Sequence, residues 1–257
     1  MSDGFLAWQP LRDELDRWSV AGNVATFWWR DDDAIEPTPA LDRMLALVNR
    51  YKIPLGLAVI PASATLALQH RLQSEVLVAV LQHGFVHRNH ARSGERAAEY
   101  GPQRPLEERA AEFDHGWRLL EPFVRRTPIF VPPWNRYDPA IAEALAARCI
   151  RAISAFGVAN RLHPGIIECN CHVDIISWRT TRAFAGVEKT VGKFVEHLAA
   201  RRSGSVPAGV ATGLLTHHLV HDDASWQFLG SLFATLEAHD AVRWSRPLEA
   251  VAGAQKS

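Results

Sequence analysis

Short apolar runs rich in β-branched and aromatic residues alternate along this chain with amphipathic stretches of helical period, and a compact polar cluster closes almost every apolar run. That alternation constrains the fold more than any other feature. Apolar runs bounded by turn residues have the composition of buried strands, and regular alternation with helical patterns points to βα units on a parallel sheet. Strands are expected at 24–29, 54–60, 127–131, 151–156, 169–176, 210–216 and 242–244, with a short strand and loop over 82–90. Helices are expected at 11–18, 38–51, 72–81, 106–123, 139–148, 187–201 and 225–239. In the second of these Leu41, Leu45 and Val48 share one face, and Pro39 suits a first helical turn. No low-complexity linker or internal repeat interrupts the pattern. The expectation is one α/β domain over residues 1–257, with its sheet closed as a barrel.

The polar clusters follow the strands: Asp31 to Asp33, His83 to His90, the residues from Pro132 to Arg136, Asp174, and His217 with His218. Active sites of α/β barrels are assembled at the C-terminal ends of several strands, so five such clusters in register argue for one catalytic face.

Bulk composition narrows the partners. The 257 residues carry 28 basic and 28 acidic side chains, and no Lys/Arg run exceeds a pair. The basic footprint that nucleic acid or an anionic membrane surface requires is missing. No apolar run approaches the ~20 residues of a spanning helix. The first eight residues have an early acid and no basic stretch ahead of an apolar one, so no export signal is expected and the default location is cytoplasmic. Three cysteines, Cys149, Cys169 and Cys171, give no disulfide framework and no Cys-type zinc site. The last two are expected as buried thiols on one strand.

Three neighbouring aspartates at a strand end repel one another, and a divalent cation removes that repulsion. His83, His87 and His90, spaced by four and three, would share a face if the segment turned helically. One Asp with two His supplies three protein ligands and leaves a fourth position open, the layout of a catalytic metal site. Imidazole with carboxylate suits Zn²⁺, and admits Co²⁺, Mn²⁺, Ni²⁺ or Fe²⁺. A remaining carboxylate could serve as general base, and the late His217-His218 pair supplies acid candidates.

In this order the clusters resemble the motifs of the polysaccharide deacetylases of carbohydrate esterase family four. Arg30-Asp31-Asp32-Asp33-Ala34 is similar to the first motif, Thr-Phe-Asp-Asp-Gly, with Asp32 at the base position and Asp33 at the metal position. His83-Gly84-Phe85-Val86-His87 matches the spacing of His-(Ser/Thr)-x-x-His, with Gly84 replacing the hydroxyl residue. Val131-Pro132-Pro133-Trp134 answers Arg-x-Pro-(Trp/Tyr), the segment from Asp174 to Trp178 resembles the fourth motif, and Leu215-Thr216-His217 matches Leu-x-His. The resemblance covers residues 26–218 and implies a distorted (β/α)7 barrel. It also implies a metal on Asp33, His83 and His87, Asp32 as base and His217 as acid. Trp134, Arg136, Asp174 and Trp178 would line a carbohydrate site.

The implied activity is removal of N-acetyl groups, less readily O-acetyl groups, from a carbohydrate. A small non-sugar amide as substrate, or a degenerate barrel that binds sugar without turnover, are the alternatives. The departures are specific. Val131 stands where the family has an arginine that orients the catalytic carboxylate, leaving Arg136 or Arg30 to substitute. Asp31 competes with Asp32, His90 with His83 or His87, and His218 with His217.

Overall fold

The computed structural model describes residues 6–159 and 163–255, so most of the segment expected to lack an export signal lies outside the described residues. The chain forms two compact units. One comprises residues 1–30, 39–55 and 171–257, the other residues 31–38 and 56–170. Strand β1 (Ala25–Ala34) begins in the first and ends in the second.

In the first unit β1 lies between β8 (Thr212–Thr216) and β9 (Val242–Trp244), and β7 (Val173–Asp174) lies beyond β8. The β1–β9 and β7–β8 pairs are parallel. Among its described residues this unit carries the helices α1 (Gln9–Val20), α2 (Pro39–Tyr51), α6 (Val187–Arg202), α7 (Asp223–Glu237) and α8 (Pro247–Gln255). All five residues of β8 are buried, as expected of a parallel strand covered on both faces. Helix α2 buries Leu41, Met44, Leu45 and Val48, the i, i+3, i+4, i+7 stripe that drives it onto the sheet. Helix α1 buries Leu11, Glu14, Leu15 and Trp18 with the same period. Glu14 is tolerable there because it accepts from Arg202 Nε at 2.7 Å and Arg17 Nη1 at 2.9 Å. Burial would raise its pKa, and the two guanidinium groups outweigh that and hold it below the ordinary value.

The same unit holds two stacked imidazoles, His172 and His197, with ring centroids 3.6 Å apart. His172 Nδ1 accepts from the Gly213 amide at 3.0 Å, and His197 Nδ1 lies 2.9 Å from Thr212 Oγ1. Burial, His197 and Arg201 push the pKa of His172 down to about 2, and burial with Arg201 pushes His197 down to about 4. Unfolding therefore takes up protons once the pH falls below the unfolded value of about 6.5, and stability falls as pH drops from there towards 4. Two such groups would give at most about 2.7 kcal/mol per pH unit, and the partial exposure of both rings reduces this to about 1–2 kcal/mol between pH 6 and 5. Denaturant titrations of wild type and the His172→Asn/His197→Asn variant should show this slope in the first and a shallower one in the second. Equal slopes would place the acid sensitivity elsewhere.

In the second unit the strands run β2 (Leu55–Val59), β3 (Val78–His83), β4 (Arg126–Val131), β5 (Ala152–Ile153) and β6 (Ile167–Glu168), in that order across the sheet. The β3–β4, β4–β5 and β5–β6 pairs are parallel. Helices α3 (Leu66–Leu72), α4 (Leu106–Leu119) and α5 (Ile141–Ala146) connect them. The core here is built around Phe130, whose ring meets Tyr100 at 4.8 Å and Phe113 at 5.6 Å, both edge-on. Fully burying a ring of this size contributes about 1.5–3 kcal/mol.

Several expected elements are corrected. The helix placed at 72–81 ends at Leu72, and β3, which opens with the β-branched Val78 and Val80, begins four residues before the expected strand. The strand expected at 169–176 is absent as a unit: β6 ends at Glu168 and β7 starts at Val173. Cys169 and Cys171 lie between those strands and both are buried, so the expected burial holds and the expected strand does not. Helix α8, starting at Pro247, was not anticipated.

Candidate metal centre and late histidine

The end of β1 carries the aspartates, with Asp31 fully buried, Asp32 nearly so and Asp33 partly exposed. Neighbouring residues of a strand point to opposite sides, and Asp33 breaks that rule with a left-handed backbone at φ 75°. Aspartate tolerates this region better than most side chains because it is short and bonds locally. The turn breaks the alternation, so that Asp32 and Asp33 both lie near His83.

Parallel pairing sets His83, the last residue of β3, beside Val131, the last of β4. The Val131 carbonyl lies 3.0 Å from His83 Nδ1 and also accepts from the Gly84 amide at 3.0 Å. A carbonyl only accepts, so Nδ1 carries the proton and Nε2 turns towards Asp33, 3.1 Å from Oδ1. His87 Nε2 lies 3.4 Å from the same oxygen. Ligand atoms of Asp33, His83 and His87 all fall within 4.8 Å of one another.

The spacing of four is realised without a helix. His83 ends a strand, Gly84 turns at φ +55°, and His87 reaches back from a loop at φ 57°. The helical face proposed for His83, His87 and His90 is therefore incorrect, and His90 falls outside the cluster. Its backbone amide instead bonds the Ala98 carbonyl at 2.9 Å.

Burial disfavours the charged form of His83, but Asp32, Asp33 and the Val131 carbonyl outweigh it and raise its pKa. Burial and the neighbouring His83 lower that of His87, against Asp33 and Glu99. One imidazole is thus held towards its cation and the other towards neutrality, a set that a divalent ion would satisfy by replacing the proton.

After β4, the turn Pro133–Asn135 puts Trp134 at φ 55° and Asn135 at φ 57°. The Trp134 ring centroid lies 4.3 Å from that of His87. Asp33, His87, Trp134 and Asn135 make four of the seven non-glycine residues with positive φ among the described residues. Strained backbone concentrated at one place is what functional sites show when packing over-determines them. Arg136 Nη1 donates to the Ala97 carbonyl at 3.0 Å.

Glu99, which sequence patterning did not single out, is fully buried beneath this loop. Its oxygens accept from the amides of Phe85 at 3.0 Å, Val86 at 2.9 Å and Arg88 at 3.3 Å. The available signal was a lone acid inside the apolar stretch Ala97-Ala98-Glu99-Tyr100.

The late cluster forms within the other unit. Pairing of Asp174 with Leu215 in the β7–β8 register brings the end of β7 alongside the residues leading to His217. Asp174 accepts from the Ile176 amide at 2.9 Å and from Trp178 Nε1 at 2.8 Å. The Trp178 ring meets His217 edge-on at 4.6 Å. Burial raises the pKa of Asp174, and the charge of His217 and the two hydrogen bonds oppose that rise. His218 is buried and opens a short turn, and His221 Nε2 accepts from the His217 amide at 3.4 Å. Asp174, Trp178 and His217 thus form one contact group, with the indole N–H of Trp178 committed to the protein.

No family model and no curated protein matches this chain by sequence. Solved structures do match it. A protein from Mycobacterium smegmatis assigned to the polysaccharide deacetylases superposes with a TM-score of 0.67 at 13% identity, over 91% of each chain. A variant of a peptidoglycan deacetylase from Bacillus subtilis gives 0.55 at 14% identity, over 91% of this chain and 93% of that one. A family 4 acetyl xylan esterase from Clostridium thermocellum, in complex with a cobalt ion, gives 0.53 at 13% identity, over 88% and 90%. The class these similarities define is one of fold: the chain has the distorted (β/α)7 barrel of the polysaccharide deacetylases. No helix among the described residues is long and apolar enough to cross a membrane.

Proposed function

We propose that this chain is a metal-dependent hydrolase that removes acetyl groups from a carbohydrate, with an N-acetyl amide as the first candidate bond and an O-acetyl ester as the second. The observation that carries the reading is the convergence of Asp33, His83 and His87 on one point, with His83 Nε2 freed by its Nδ1 contact to Val131. Those three side chains would hold one divalent ion, Zn²⁺ first and Co²⁺, Mn²⁺, Ni²⁺ or Fe²⁺ as substitutes. Such an ion supplies Lewis-acid polarisation of the acyl oxygen and makes water a better nucleophile near neutral pH. Asp32 takes the proton from the attacking water, and His217 gives a proton to the leaving amine. Asp174 holds the Trp178 indole, whose ring packs edge-on against His217. Trp134 offers an apolar ring face to a sugar, and Arg136 ties its loop to Ala97.

Metal uptake tests the reading. Apo protein should bind about one Zn²⁺ or Co²⁺ per chain. Asp33→Ala, His83→Ala and His87→Ala should each lose it, and His90→Ala should keep it. Full occupancy in His87→Ala sinks the assignment. The loaded protein should then release acetate from at least one member of a panel of acetylated sugars. Sugar binding with no acetate released under any of the metals would replace hydrolysis by a purely binding role.

A further inference from the structure

Gly84 occupies the position that the deacetylase motif gives to a hydroxyl residue, and a Cβ built on it would come within 2.0 Å of Glu99 Oε2 and 2.5 Å of Pro133 Cγ. No side chain fits there while Glu99 is in place, and the φ of +55° at Gly84 suits glycine in any case. The two departures from an ordinary strand-to-loop exit are thus one feature: a glycine leaves the space that a buried carboxylate fills.

That carboxylate does specific work on the loop. Glu99 Oε2 accepts from the Phe85 amide, and Oε1 accepts from those of Val86 and Arg88. These donors bracket His87, whose backbone is left-handed. Successive backbone N–H groups curled around an anion form a concave nest, and bonds to a charged acceptor are about twice as strong as neutral ones. Positive φ is uncommon for any residue but glycine, even though histidine adopts it more often than most. With the nest empty, the loop would relax towards negative φ and carry the His87 imidazole away from Asp33.

We propose that Glu99 is the positioning residue of the metal centre, an internal anion that holds the loop of residues 84–88 in the one conformation that presents His87 Nε2 to the ion shared with Asp33 and His83. The proposal rests on the metal reading above and adds the element that sets its affinity and geometry. Glutamine keeps the size of Glu99 but offers one acceptor oxygen, so its NH₂ group would face an amide donor.

Co²⁺ titration followed by d–d absorption, on wild type and on Glu99→Gln and Glu99→Ala, decides the matter. Residues supporting metal ligands typically change affinity by about 10–100-fold, and that loss is expected in Glu99→Gln, with altered Co²⁺ bands. Far-UV circular dichroism should stay native. Hydrogen exchange of the Phe85, Val86 and Arg88 amides in the apo protein should accelerate, while amides within β3 and β4 keep their protection. Glu99→Asp, with both acceptors on a shorter stem, should recover part of the affinity. The proposal is overturned if folded Glu99→Gln binds Co²⁺ with wild-type affinity and spectrum, or if those three amides stay protected. Should Glu99→Ala fail to fold, Glu99→Gln alone carries the decision. A wild-type protein that takes up no Co²⁺ would end the metal reading and this proposal together, an outcome distinct from variants that bind like wild type.

Discussion

Asp32→Asn is expected to bind metal and acetylated sugar near normally and to lose turnover by about 10²–10⁴-fold at every pH, the usual size of a general-base contribution. Asparagine keeps the shape and hydrogen-bonding reach of the carboxylate but cannot accept the proton. The expectation depends on the left-handed turn at Asp33, which breaks the strand alternation and lets two adjacent aspartates act near the same imidazole. Asp33 shares its Oδ1 with His83 and His87, whereas Asp32 is buried close enough for its charge to favour the His83 imidazolium. Asp33→Asn should therefore fail differently, by losing metal affinity and recovering partly with excess ion. Asp31→Asn should be mild. Kinetics and metal content measured on the same three preparations separate these outcomes. An active Asp32→Asn beside a dead, metal-loaded Asp31→Asn would move the base one residue upstream.

Much of this arrangement was legible in the sequence because strand ends and ligand types are local signals. The apolar run leading into Arg30-Asp31-Asp32-Asp33 marks β1, although the strand continues through Ala34 where an end at Trp29 was expected, and the four-residue spacing of His83 and His87 identifies the pair that meets Asp33. What was lost is the backbone between them. A spacing of four fits a helix turn and a tight loop equally well, and only tertiary contacts choose. Here the choice is made by the parallel pairing that places His83 against Val131 and by Glu99, an acid 12 residues downstream of His87 that no periodicity connects to it. The short strands were blurred for a related reason: β5 and β7 fell inside longer expected strands, and β6 was not anticipated. Two paired residues leave no alternation to detect, and the loops around them carry apolar residues such as Ile175 and Ile176 that read as strand. The departure at Val131 looked like a missing function in the motif. Its carbonyl nevertheless contributes by fixing the His83 tautomer, a role that any residue can supply and that side-chain motifs cannot register.

His217→Ala should lower kcat on an N-acetylated sugar by about 10²–10⁴-fold while metal content stays at the wild-type level. Expelling an amine anion near neutral pH is prohibitive, so amide cleavage needs a positioned proton donor. Asp174 fits the supporting part: it is held by the Trp178 indole and the Ile176 amide, and the Trp178 ring packs edge-on against His217. The substrate itself then provides the discriminating measurement. An activated aryl acetate expels a phenolate that leaves without a proton, so its hydrolysis by His217→Ala should fall far less than that of the amide. A histidine acting only as a packing partner of Trp178 would depress both substrates equally, and one acting as a metal ligand would deplete the ion. His218, buried beside it in the opening turn, is the control. Substrate-selective loss in His218→Ala, with normal amide cleavage in His217→Ala, would shift the acid role to the neighbouring residue.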